Sequence, residues 1–245
     1  MAKLLVNIAA FILVLVMNTL AVTLPLNGQT TGEISNRLDV FFTPAGYVFS
    51  IWSLIYLLLG IWVIRQITGK NRSSLYYQAI SPYFAATCLL NSAWIFMWHY
   101  NYFGLSVLIM LSLLSTLIVI YRKVKELRRN FFDQLPFSVY LGWISVATVA
   151  NISYFLTYLE WGGFGLGEAF WAVFLLVMTF CLAAYFRVKK KDWIYPLIIV
   201  WAVIGIGVNN QADHPVLSWI SYAVAVIVLL MVVFIRYPQH ISKSG

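Results

Sequence analysis

Eight apolar stretches dominate this chain, each about as long as the hydrocarbon core of a bilayer demands. A spanning helix needs about 20 consecutive, mostly apolar residues. Such runs occupy roughly 4–24, 44–64, 79–98, 103–121, 136–158, 168–186, 193–208 and 216–235. Soluble domains carry about 25% charged residues, whereas this chain carries 10%. The predicted fold class is therefore all-α: a polytopic integral membrane helical bundle with eight transmembrane helices. The seventh run is short and holds Gly205 and Gly207, so an irregular end is expected there. The third and fourth runs should form a tight hairpin through His99, Tyr100, Asn101 and Tyr102.

The first run follows Lys3, as in a secretory signal, but a signal's apolar region is about 7–15 residues long. Residues 4–24 exceed that, and no small-x-small cleavage site precedes Pro25. The run is read as the first spanning helix.

Loop charge orients the bundle. With the N-terminus inside, 15 of the 16 Lys and Arg residues fall in inner segments, Arg37 being the exception. Glu33, Asp39, Glu160, Glu168 and Asp213 fall outside. Basic residues favour the cytoplasmic side, so a multi-pass protein of the cell membrane with both termini cytoplasmic is expected. The net charge of +8 is then a matter of orientation, and no nucleic-acid partner is expected. Trp98, Trp161, Trp171, Trp193 and Trp219 lie near span ends, where an aromatic belt forms.

The spans lack the usual chemistry of pumps and hydrolases. No Asp, Glu, Lys, Arg or His lies in the middle of a run, and such residues mark proton relays and ion paths. His99, His214 and His240 fall in loops or tails, and Cys88 and Cys181 read as small core residues. GGFGLG at 162–167 lacks the strand-to-helix setting of a dinucleotide site and reads as a flexible connection. No metal site or required cofactor is expected, and no internal repeat supports an inverted-repeat transporter.

Neutral polar groups remain. A buried amide in lipid must find a partner, either across helices or on a ligand. Counted from the span ends, Asn18, Trp52, Asn91 and Asn151 lie roughly 9–12 Å below the outer boundary. Asn7 lies about 16 Å deeper than Asn18 and reads as helix-to-helix glue or an interfacial amide. Helical spacing places Phe49, Trp52, Tyr56 and Gly60 on one stripe. Asn91, Trp94 and Trp98 share a second, and Tyr140, Trp143, Ala147 and Asn151 a third. These aromatics either pack the helices or wall a pocket for a flat, apolar ligand beneath residues 25–43.

Three of these segments resemble the TspO/MBR family of tryptophan-rich sensory proteins. FTPAGYVFSIWSLIYLLLGIW is similar to that family's second helix, LLNSAW to its third and YLGWISVATVAN to its fifth. The matches fall within residues 1–158, and the chain differs from the family pattern at Ile34, Ala45, Tyr47, Val139 and Ile152. The resemblance implies a five-helix unit over 1–158, with three further helices of unassigned role in 159–245. It also implies a ligand pocket under the first loop, with Trp52 and Asn91 at family pocket positions. The expected ligand is a small hydrophobic molecule, a porphyrin or haem-like tetrapyrrole first.

In this reading Trp52 and Asn91 bond the ligand's polar edge. Phe49, Tyr56, Trp94 and Trp143 give stacking surface, Asn151 closes the polar end, and residues 26–43 form a lid. Thr43 and Pro44 should start the second helix, with Pro44 at its first position. The expected partners are the lipid bilayer and that ligand, with a homodimer left open. Light- or oxygen-dependent porphyrin breakdown, a facilitator for a neutral solute, and a structural role in a larger membrane complex are the alternatives.

Overall fold

The computed structural model describes residues 1–24, 26–68, 74–127 and 130–235. Pro25, Lys70, Arg72, Arg128, Arg129, Arg236, His240 and Lys243 lie outside the described residues. Among the described residues the chain is a polytopic helical membrane bundle. Its long helices are α1 (Ala2–Thr23), α2 (Ile51–Arg65), α3 (Leu75–His99) and α4 (Phe103–Glu126). They continue as α5 (Phe131–Tyr158), α6 (Glu168–Val188), α7 (Ile194–Asn209) and α8 (Pro215–Phe234).

Seven helical segments are long and apolar enough to cross a membrane, one of them being α2 with the turn that precedes it. The eighth, α7, has 16 residues, about 24 Å at 1.5 Å per residue. It can be short because protein surrounds it: Ala202, Val203 and Ile206 are fully buried. Backbone at membrane depth is tolerated wherever protein covers it.

The packing order explains the architecture. α1 packs on α2 and α3, α3 on α4, α4 on α5, and α5 returns to α2. These five close into a ring. α7 docks on the outside of that ring, against α5, and α6 and α8 pack on α7 and on each other. Polar residues set several helix starts. The Ser74 hydroxyl accepts from Tyr77 N–H at 3.4 Å, and the Asn130 side chain accepts from Asp133 N–H at 3.1 Å. These caps satisfy donors a helix start leaves free, and they begin α3 and α5 about one turn earlier than hydropathy alone predicts.

The second helix departs from expectation. Thr43 and Pro44 are not its first turn. Gly46–Ser50 is a 3₁₀ turn, and α2 proper starts at Ile51. The reason lies in α7. Ala45 N–H donates to Gly205 O at 3.0 Å, Trp201 Nε1–H donates to Val48 O at 3.2 Å, and the Asn210 amide donates to Phe41 O at 2.9 Å. Val48 presses so close that a Cβ on Gly205 would overlap its Cγ2. Gly207 is covered in the same way by Tyr222 of α8. Both glycines therefore serve close packing, and α7 stays helical through them rather than becoming irregular.

The end of the bundle rich in Lys and Arg is held by buried charge. Asp133, fully buried, pairs with Arg65 at 3.0 Å. Asp192, between α6 and α7, accepts from Tyr121 O–H (2.9 Å), Gln134 Nε2–H (2.8 Å) and Ser138 O–H (2.7 Å). Its other oxygen accepts from the Ile194 and Tyr195 amides at the start of α7. One carboxylate thus ties α4, α5 and α7 together. Asn7 joins this half as a helix-bridging amide, donating to Gln66 Oε1 (2.9 Å) and Ser81 Oγ (2.8 Å).

Candidate functional site

The opposite end is covered by residues 26–50. A short helix, Thr31–Ser35, opens with a capping box between Thr30 and Glu33, which satisfies two free donors reciprocally. Ile34 and Phe42 are buried, so this segment is packed down rather than merely draped. The Asn27 amide donates to His99 O at 3.0 Å, and Trp98 Nε1–H donates to Thr31 O at 3.3 Å. His99 is the last residue of α3 and is buried, not a loop histidine; its Nδ1 lies 2.8 Å from Ile95 O. Glu33 accepts from Thr30 N–H and its hydroxyl, and these bonds hold its carboxyl below the ordinary range.

Beneath this cover is an aromatic cavity inside the five-helix ring. Phe49, Trp52, Trp94, Trp143 and Asn151 line it, with Trp98 and Tyr154 beside them. Ser35, Thr43 and Pro44 of the covering segment close it from above. Phe49 and Trp52 each meet Trp143 edge-on, at 5.9 and 6.1 Å between ring centroids, and Trp94 stacks on Trp98 at 5.5 Å. Edge-on and offset pairs are the favoured arrangements for aromatic quadrupoles. The cavity measures about 40 Å³. Pockets that hold small ligands are about 300–1,000 Å³, so the aromatic walls are closed on one another.

Of the seven residues that the sequence singles out, Phe49, Trp52, Trp94, Trp143 and Asn151 converge here. Tyr56 and Asn91 do not line the cavity. They belong to a separate polar knot next to it. Asn91 Oδ1 accepts from the Asn18 amide (2.8 Å) and from Tyr56 O–H (3.5 Å), and its own amide donates to Tyr140 O–H (3.1 Å). Tyr56 also stacks on Trp52 at 5.6 Å. Gly60, one turn further along α2, faces Phe11 of α1 at contact distance, the close approach that a small residue permits.

The polar groups of the cavity are not equally occupied. Asn151 Oδ1 accepts from Trp94 Nε1–H at 3.0 Å, and its amide donates to Ser106 Oγ at 3.0 Å. Trp143 Nε1–H, by contrast, is buried and has no hydrogen-bond partner. Buried donors are almost always paired, so this one stands out. Ser106 escapes a sequence reading because a lone serine in an apolar helix usually bonds back to its own turn, as it also does here to Phe103 O at 2.8 Å.

A family model described as TSPO-like protein matches residues 4–234, running through all eight long helices. No curated protein and no solved structure matches the chain. The family match covers most of the chain, and the chain belongs to the TSPO-like protein family.

Proposed function

We propose that this protein binds a small, flat, hydrophobic ligand in the aromatic cavity, with a tetrapyrrole such as a porphyrin as the first candidate. The observation that carries this reading is the unpaired Trp143 Nε1–H beside Phe49, Trp52 and Trp94. An orphan buried donor costs roughly 1–3 kcal/mol, a cost that a ligand carbonyl or carboxylate removes. Stacking on Trp52 and Trp94 supplies the rest of the recognition. Asn151, already bonded to Trp94 and Ser106, fixes the Trp94 ring rather than the ligand. Asn91 and Tyr56 hold the wall from behind.

Binding requires the cavity to open. The covering segment is held mainly by single neutral hydrogen bonds to α3 and α7, each worth about 0.5–1.5 kcal/mol. That makes residues 26–50 the natural lid. In the same reading residues 1–158 form the binding unit, and the three helices after it brace the lid through α7. The Lys- and Arg-rich end faces the cytoplasm, as loop charge favours.

Titration of purified protein with protoporphyrin, followed by tryptophan quenching, tests the site. Trp143→Phe should weaken binding about tenfold, the loss of one hydrogen bond. Trp52→Ala should weaken it further. Wild-type affinity in both variants would place the ligand elsewhere.

A further inference from the structure

A larger cavity lies outside the five-helix ring. α5 and α6 are consecutive in the chain, yet among the described residues they do not pack along their lengths, because α6 leans on α7 and α8 instead. The space left between them, at the lid end, is about 620 Å³. That falls within the range of small-molecule pockets. Val149, Ile152 and Leu156 of α5 face Ala172 and Leu175 of α6 across it, so its walls are mostly apolar, with Ser153 and Thr157 the hydroxyl-bearing exceptions.

Its rim is charged with one sign. Asp39, Glu160 and Glu168 border it, and no Lys, Arg or His does. None of the three carboxylates forms an ion pair among the described residues. Trp161 and Trp171 stand beside them with ring centroids 5.3 Å apart. Trp171 Nε1–H is already committed to Gly163 O at 3.0 Å, so the indole offers its face and not its donor. This bond also gives the 159–167 connection a defined shape: Gly163, Phe164 and Gly165 all have positive φ. A Cβ at Gly163 would lie 3.1 Å from the Trp171 nitrogen.

We propose that this cleft is a second ligand site, built for a cationic amphiphile whose apolar body lies between α5 and α6 and whose ammonium group sits at the Asp39, Glu160 and Glu168 rim. Three carboxylates repel an anionic head, and the aromatic faces attract a cation. An apolar cleft with no basic residue at its mouth therefore selects an amine over a fatty acid or a phosphate. The site is separate from the aromatic cavity, which has no acidic lining.

The test uses the full chain in phosphatidylcholine nanodiscs and two fluorescent probes. Dansylcadaverine carries a primary ammonium; dansyl n-pentylamide has the same apolar body without it. The ammonium probe should bind at least tenfold tighter. Glu160→Gln with Glu168→Gln should remove that preference, and Trp143→Phe should leave it unchanged. Ile152→Trp, which fills the cleft from a half-buried position, should weaken both probes, with the thermal midpoint confirming a folded protein. Displacement by sphingosine identifies a membrane-borne amine as the natural class, and displacement by 4-phenylbutylamine a soluble one. Equal affinity for the two probes, or an unchanged preference in the double Gln variant, would overturn the proposal, as would failure of both amines to displace.

Discussion

The two ends of this bundle are held together by different chemistry. At the basic end, buried carboxylates are held by strong partners: Asp133 against Arg65, and Asp192 among five donors. At the lid end most bonds to the helices are neutral and single, with Arg37 to Asn101 the charged one, and both cavities lie there. Buried charge is costly unless fully paired, and breaking such a pairing is costlier still. It therefore suits a part of the molecule that must not move. Neutral single bonds suit a part that must open. The contrast separates a rigid base from a working end, and each half of it can be broken.

The largest effect is expected at the base. Asp192→Ala leaves the Tyr121 and Ser138 hydroxyls, the Gln134 amide and two backbone N–H groups without their acceptor. A loss of about 3–5 kcal/mol is expected, read by unfolding in detergent. Protoporphyrin affinity of the fraction that remains folded should hold. Loss of affinity with stability retained would erase the distinction between the ends.

Next comes the joint between α7 and the lid. A methyl on Gly205 would collide with Val48 Cγ2, and Val48 is fully buried. Gly205→Ala should cost about 1–3 kcal/mol by overpacking. Val48→Ala in the same chain removes the colliding carbon, so the double variant should be more stable than Gly205→Ala alone. That non-additivity is the signature of direct contact. Simple addition of the two effects would mean that α7 does not brace the start of α2.

A third comparison lies within the working end. Asn91 of α3 and Trp143 of α5 are both buried inside the bundle, but both polar atoms of Asn91 are bonded and Trp143 Nε1–H is not. Asn91→Ala should lower stability by about 1–3 kcal/mol, because the bonds to the Asn18 amide and the Tyr140 hydroxyl are lost. It should leave protoporphyrin affinity unchanged, while Trp143→Phe weakens it. If Asn91→Ala weakens binding as much as Trp143→Phe does, the polar knot belongs to the binding site.

These contrasts show how far the sequence alone reaches. Spans were legible because hydropathy is a local property, and even the shortness of α7 could be read from its run of residues. Stripe spacing put Phe49, Trp52, Trp143 and Asn151 on faces that meet. It could not separate Asn91 from the cavity, since a stripe gives direction and not which neighbour arrives first. Capping rules misplaced the start of α2 at Thr43 and Pro44: no side-chain cap forms at the observed start, and Ala45 is held instead by a carbonyl about 160 residues later. The α5–α6 cleft had no local signal, because it exists where two chain neighbours fail to pack.

The smallest expected effect lies in the lid itself. The capping box puts Glu33 against the Thr30 N–H at 2.6 Å and the Thr30 hydroxyl at 2.9 Å, and these bonds lower its pKa from the ordinary 4.5. A carboxylate with a depressed folded pKa stabilises its element above the unfolded value. That contribution fades as pH falls through the lowered folded value. The short helix Thr31–Ser35 should therefore keep its amide protection from neutral pH down to about the ordinary carboxylate range and lose it below. Hydrogen exchange across residues 31–35 reads this directly. Glu33→Gln should flatten the acid dependence. A lid whose protection is pH-independent in the wild type would mean that the capping box does not hold it. The bonds that tie the lid to α3 and α7 would then carry the closure.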